Sequence, residues 1–392
     1  MSAFQEAGVE LARVAAAVLG GAPGPVSLRS PLPGGIRALG IASFAAGVGP
    51  LMGFWCETGR VAAEPAVTGL FATHLDHGRR RAARMRQELE RVVVPLAEHG
   101  VVVWVLKGMH TGYRYFPEPG TRCSTDIDLL VRPNDWLAAR DVLCELGFVE
   151  KRHPSQPRDS AWVPPEIQRV LTLDYAHADL PWTIDLHRSL DRLPFEGLET
   201  RLGGPDASAG EVWQEFCRPV RVLSEPRLLA YLALHASSHF YRMSLVRFIE
   251  LLLVAQRDFA GRAERWEAFG DLVARTGSSR FVYPALDLAE RLVPGTIDGR
   301  VLAQIAAATP GRLRRLVRGM TPATAQRLHP YPALRERFVW LASSREVLAA
   351  LLWLLWPRDN EKLVAPDKAL AAQWRRVRRA LRRIMQARVP KA

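Results

Sequence analysis

Asp126 and Asp128 stand two residues apart in a segment otherwise made of Ile127, Leu129, Leu130 and Val131. Successive side chains of a strand alternate between faces, so both carboxylates share one face while Ile127 enters the core. Two like charges at the edge of an apolar sheet repel each other, and a bound divalent cation is the usual compensation. A third carboxylate, Asp185, lies in Thr183-Ile184-Asp185-Leu186-His187, flanked by apolar residues on what reads as a neighbouring strand. Three carboxylates converging from two strands could hold two Mg²⁺ ions, with Mn²⁺ as the alternative. A D-x-D pair alone also fits a solvated strand end, and Asp185 a hairpin; what precedes them favours the metal. Lys107-Gly108 closes the strand before, where a residue without Cβ lets backbone N–H groups approach an anion and the lysine supplies a point charge. Arg122, four residues before Asp126, could reach the same anion.

The elements that must position these residues follow from the pattern around them. Residues 1–98 read as a helical region broken by a Gly/Pro-rich stretch from Gly20 to Gly35, with Ala82, Met85, Leu89, Val92 and Val93 at helical spacing between Arg79 and Glu98. Val101 to Leu106 is an unbroken β-prone run, the pattern of a central strand buried on both faces. After the D-I-D strand, Pro133 opens an amphipathic helix that ends at Gly147. Lys151 to Pro165 turns polar and proline-rich, as a surface loop does. Val170 to His177 and Trp182 to Leu186 read as two strands joined by a hairpin over Ala178-Asp179-Leu180-Pro181. A Gly/Pro-rich loop from Pro194 to Gly210 marks a boundary, and everything beyond has helical spacing. The expected organisation is α+β: a helical N-terminal region (1–98), a core with a small mixed β-sheet (99–193), a helical C-terminal domain (211–374) and a basic tail (375–392).

Taken in order, these motifs resemble the uncharacterised nucleotidyltransferases of the DNA polymerase β-like superfamily, often encoded in bacterial natural-product and surface-polysaccharide clusters. The resemblance is carried by Val105-Leu106-Lys107-Gly108, Tyr113, Tyr115-Phe116-Pro117, Arg122, Asp126-Ile127-Asp128-Leu129-Leu130-Val131, Leu146-Gly147-Phe148 and Ile184-Asp185-Leu186-His187. It extends more loosely to Leu234-His235 with His239 and to Leu355-Trp356-Pro357. It implies a nucleotidyltransferase core in which Asp126 and Asp128 are the first metal-ligand pair and Asp185 is the third ligand and the base for an acceptor hydroxyl. An acceptor oxygen would attack the α-phosphate of a nucleoside triphosphate in line and release pyrophosphate. Lys107, Gly108, Thr111, Arg122, Thr125 and His187 are then the nucleotide-binding residues. One departure stands out: the superfamily has Gly-Ser where this chain reads Lys107-Gly108-Met109. Without that serine, phosphate binding must use Lys107, backbone amides or Thr111.

Other chemistry-bearing residues have plainer readings. His235 and His239, four apart on a helix, have the spacing of a shared metal, but no Glu or Cys accompanies them, and a structural pair or a pocket lining fits as well. His187 could orient Asp185, contact phosphate, or be a hydrogen-bonded strand histidine. Glu250 occupies the helix position where the family commonly shows Asp, a candidate to support the site from behind. Trp353 and Trp356 read as core.

Composition excludes other classes. At 392 residues, 48 % apolar and 24 % charged, the chain has the proportions of a folded globular protein. Cys56, Cys123, Cys144 and Cys217 lie far apart with no C-x-x-C spacing, which argues against structural zinc and a redox pair. With no basic leader and no apolar run of membrane-spanning length, a cytoplasmic protein is expected. Of the net charge of +13, eight Lys or Arg fall between Arg375 and Lys391, leaving +5 for the rest. Trp374, Val377, Leu381 and Ile384 give that tail a helical stripe. The leading expectation is therefore transfer of a nucleotidyl group to a small-molecule or peptide acceptor. The alternatives are a non-catalytic nucleic-acid- or partner-binding protein that uses the tail, and nucleotidyl transfer to an RNA end.

Overall fold

The computed structural model describes residues 2–29, 34–151, 159–164, 182–191, 200–203, 210–216, 219–240, 242–326, 338–355 and 378. Helices α1 (Ala3–Leu19), α2 (Gly35–Ala46), α3 (Gly49–Glu57) and α4 (Pro65–Glu98) build the N-terminal part, with the short strands β1 (Val26–Ser27) and β2 (Val61–Ala62) paired between them. The core follows as β3 (Val103–Val105), α5 (Met109–Arg114), β4 (Asp126–Val131), α6 (Trp136–Glu145), β5 (Val149–Lys151), β6 (Asp159–Val163), β7 (Thr183–His187), β8 (Gly210–Val212) and β9 (Arg221–Leu223). Helices α7 (Arg227–Ser238), α8 (Leu245–Val254), α9 (Ala263–Arg275), α10 (Ser279–Leu292), α11 (Gly299–Ala307), α12 (Gly311–Arg318) and α13 (Ser344–Leu355) complete the described chain.

Among the described residues one mixed sheet runs in the order β5-β6-β7-β4-β3-β9-β8. The fold is α+β, as expected. β3 is central, antiparallel to β4 with Trp104 opposite Leu130 and parallel to β9 with Trp104 opposite Arg221. β4 is parallel to β7, which sets Asp128 against Asp185 and Leu130 against His187. The alternation of β4 sorts its side chains into two cores. Ile127, Leu129 and Val131 bury with Met85, Leu89, Val92 and Val93 of α4, whereas Leu130, Trp104 and Leu106 join a larger core shared by the N- and C-terminal helices.

Small residues set how closely α4 approaches its neighbours. A Cβ on Gly53 of α3 would lie 2.3 Å from Phe71 O, and one on Gly78 would lie 2.3 Å from Gly120 O. Only glycine permits these backbone contacts. They seat α4 directly against the turn that leads into β4.

Three expectations are corrected by the fold. The buried run of Val101 to Leu106 is laddered only over β3, although Leu106 N–H still donates to Asp128 O at 3.0 Å. The stretch read as a surface loop between 151 and 165 carries β6, which pairs antiparallel with β5 and β7. Beyond 210 the chain is not helical throughout: β8 and β9 return to the sheet and cover the far edge of β3. The strand expected at 170–177, the hairpin turn at 178–181, Cys217 and Trp356-Pro357 lie outside the described residues, as do the side chain of Trp353 and the basic tail apart from Arg378.

Candidate active site

Lys107, Asp126, Asp128, Asp185 and His187 converge at the ends of β3, β4 and β7. Asp128 is 1 % exposed, and its carboxylate is bonded on both sides. Lys107 Nζ donates to Asp128 Oδ2 and to Asp126 Oδ2, the latter at 3.2 Å, and His187 Nε2 lies 3.1 Å from Asp128 Oδ1. Burial acts to raise the pKa of Asp128, but the Lys107 ammonium and the His187 bond outweigh it and hold the carboxyl well below its ordinary range. Asp185 goes the other way. Burial first, then the charges of Asp128 and Asp126, push it up to about 6 against the opposing pull of His187 and Lys107. Thr183 Oγ1 donates to Asp185 Oδ1 at 3.0 Å and orients it.

One ligand atom each from Asp128, Asp185 and His187 lies within 4.8 Å of the others, a donor set that could hold a metal ion. Asp126 stands on the same strand face but outside this group, 29 % exposed and engaged by Lys107. His187, read from the sequence as a nucleotide contact, thus falls among the carboxylates. The chemistry of the set fits a divalent cation: hard oxygen donors in excess, with one imidazole already fixed by a carboxylate.

The second half of the site is the turn between β3 and α5. Gly108 has φ of +73°, and a Cβ there would stand 2.9 Å from Ser124 Oγ, so glycine is required on both counts. Its N–H donates to Thr111 Oγ1 at 3.1 Å, and the Thr111 hydroxyl donates to Glu250 Oε1. Glu250, on α8, also receives Arg122 in two-pronged fashion, Nε to Oε1 at 3.2 Å and Nη2 to Oε2 at 3.0 Å. Arg122 Nη1 in turn donates to Cys123 O at 2.7 Å and Ser124 Oγ at 3.2 Å. Burial acts to lower the pKa of Arg122, yet the facing Glu250 carboxylate leaves it above the ordinary value. One carboxylate of the C-terminal helices therefore ties down both the glycine turn and the segment entering β4.

Of the residues expected at a triphosphate, Lys107 is bonded to Asp126 and Asp128, Gly108 follows it in a turn tied to Thr111, and Thr125 is exposed at the head of β4. The guanidinium of Arg122 is instead turned onto Glu250. Arg81 and Ser124 were not legible as site residues: Arg81 Nε donates to Ser124 O at 2.7 Å from α4, and both line a small cavity with Gly108, Tyr113 and Arg122. Arg81 sits in a run of three arginines with nothing in its spacing to single it out. The rings of His235 and His239 lie with centroids 5.0 Å apart at an interplanar angle of 60°, and no third ligand joins them among the described residues. No single described helix is long and apolar enough to cross a membrane.

A mixed sheet that presents carboxylates from two parallel strands beside a glycine turn is the architecture of a nucleotidyltransferase core. The chain belongs to an uncharacterised nucleotidyltransferase family, which it matches over residues 51–294. That span runs from α3 to α10 and contains every site residue described above. Comparison with curated proteins and with solved structures gives no match.

Proposed function

We propose that the chain moves an NMP group from a nucleoside triphosphate to a hydroxyl, phosphate or carboxyl of a small-molecule or peptide acceptor, with release of pyrophosphate. The observation that carries this reading is the closure of Asp128, Asp185 and His187 to ligand distance on the strand face that also bears Asp126. Divalent ions held there by Asp126, Asp128 and Asp185, with Mg²⁺ preferred over Mn²⁺, would supply charge stabilisation at the phosphoryl oxygens. The chain's own residues do the rest. Lys107, the backbone around Gly108 and Thr125, which is exposed at the head of β4, would contact the phosphate oxygens, and Thr111 fixes the Gly108 turn. Asp185 takes the proton of the acceptor hydroxyl, being the member of the set whose carboxyl burial makes most basic. Arg122 contributes through Glu250, by holding residues 122–125 in register with β4.

Incubating the protein with each nucleoside triphosphate, Mg²⁺ and an extract of its host, then searching by mass spectrometry for species heavier by one nucleotidyl group, tests the reading. Pyrophosphate release and a labelled product are expected in the wild type and lost in Asp126→Asn and Asp128→Asn. Turnover undiminished in both variants would remove this site from the reaction.

A further inference from the structure

Lys107 occupies the position where the carboxylates demand a cation. Its side chain is 3 % exposed, and its ammonium bridges Asp126 Oδ2 and Asp128 Oδ2. The stem leaves the end of β3, which is laddered on both sides, so the ammonium moves by its own rotamers and not with the backbone. Asp128 Oδ2 cannot serve this ammonium and a divalent ion at full strength together, because two cations that share one oxygen repel each other.

The residue type adds an independent observation. The chain has 53 basic residues, and only five are lysine: Lys107, Lys151, Lys362, Lys368 and Lys391. In a chain that uses arginine almost everywhere, a lysine stands at the aspartate pair. A guanidinium would clamp a carboxylate through two parallel bonds, whereas an ammonium is a compact, hydrated point charge on a flexible stem and exchanges partners readily.

We propose that Lys107 is an exchangeable counter-cation: it holds Asp126 and Asp128 in place before a metal enters, is displaced from them by the metal, and passes to the triphosphate oxygens when the nucleotide binds. The inference rests on the nucleotidyl-transfer reading. Lys107 opposes binding of metal alone and favours binding of the metal–triphosphate complex.

Amine acylation of the wild-type chain, quantified peptide by peptide by mass spectrometry, tests this directly. Lys107 is expected to be protected in the absence of metal, acylated several-fold faster with saturating Mn²⁺ alone, and protected again when a non-hydrolysable triphosphate is added. Lys151 serves as internal reference. In parallel, electron paramagnetic resonance of free Mn²⁺ should show Lys107→Met binding the ion about tenfold tighter than wild type, while calorimetry shows the triphosphate analogue with Mg²⁺ bound about tenfold more weakly. Unchanged acylation on Mn²⁺ addition to a wild type that binds the ion overturns the exchange and leaves nucleotidyl transfer standing. A wild type that binds neither Mn²⁺ nor the analogue overturns both.

Discussion

Two buried charge clusters lie side by side in this molecule, and they differ in balance. Around Glu250 one carboxylate meets one guanidinium and one hydroxyl, all inside 3.2 Å, and the charges cancel. Around Asp128 three carboxylates face one ammonium and one imidazole. A balanced pair buried with its hydrogen bonds satisfied is closed to ligands and serves as a fastening. An unbalanced one is costly to keep empty, so the imbalance marks where a cation belongs. The distinction separates structural from chemical residues within a few ångströms, where residue type alone does not.

The largest expected effect lies on the balanced side. Glu250→Ala leaves Arg122 buried without its counter-charge and should destabilise by ~3–5 kcal/mol in urea titrations, equally with and without Mg²⁺. Replacing both partners at once, Arg122→Met with Glu250→Leu, should recover much of that loss, as apolar replacement of a whole pair often does. A smaller effect is expected on the unbalanced side. Asp126→Asn removes surplus negative charge from a partly exposed position and should leave metal-free stability within about 1 kcal/mol of wild type. The same variant should lose the rise in Tm that Mg²⁺ with a triphosphate gives the wild type. If Asp126→Asn unfolds the protein as readily as Glu250→Ala, the contrast between the two clusters is wrong.

A third way of burying a carboxyl sharpens the comparison. Glu225 Oε2 accepts from Leu229 N at 3.1 Å, while Oε1 is enclosed with no hydrogen-bond partner. Burial, reinforced by the charge of Asp258, pushes its pKa up to about 8 although the Leu229 bond and two arginines oppose the shift. This acid is held by a proton where Asp128 is held by cations. The unfolded chain sheds that proton near its ordinary value of 4.5, so the contribution to stability is complete below about 4.5 and is lost as pH rises toward 8. Glu225→Gln keeps an acceptor for Leu229 and cannot ionise. Its Tm should therefore fall less than wild type between pH 5 and 8, and parallel curves would show that the Glu225 carboxyl is not the source of the pH dependence.

What the sequence revealed of this arrangement was local. The Asp126–Val131 strand, its alternation, and the third carboxylate in Thr183–His187 are legible because five or six consecutive residues carry a period-two pattern. β8 and β9 are three residues each, shorter than any window in which a period shows, and Val212 on β8 is exposed. β6 opens beside proline-rich sequence, which has the pattern of a loop. Glu250 could be flagged by its helix position, but its hold on Arg122 and Thr111 spans more than a hundred residues and leaves no trace in spacing. Lys107 was legible as a site residue, whereas its partners were not: the sequence pairs it with phosphate, and the fold pairs it with the aspartates. His187 shares a strand face with Asp185, which spacing could show, yet its bond to Asp128 exists only through the β4–β7 register.

That parallel pairing, with Asp128 set against Asp185, also dictates when the site can exist during synthesis. Asp126 and Asp128 leave the ribosome well before Asp185 and His187, and Glu250 follows later still. A nascent chain that has just made β3 and β4 can close the antiparallel ladder between them, but the outer edges of both strands wait for β7 and β9. Pairing between distant strands is slow, and an open apolar edge invites other chains. The order of the polypeptide thus withholds the chemistry until translation has passed residue 250, and a fragment that ends between residues 128 and 249 carries Asp126 and Asp128 without the fastening that aligns them.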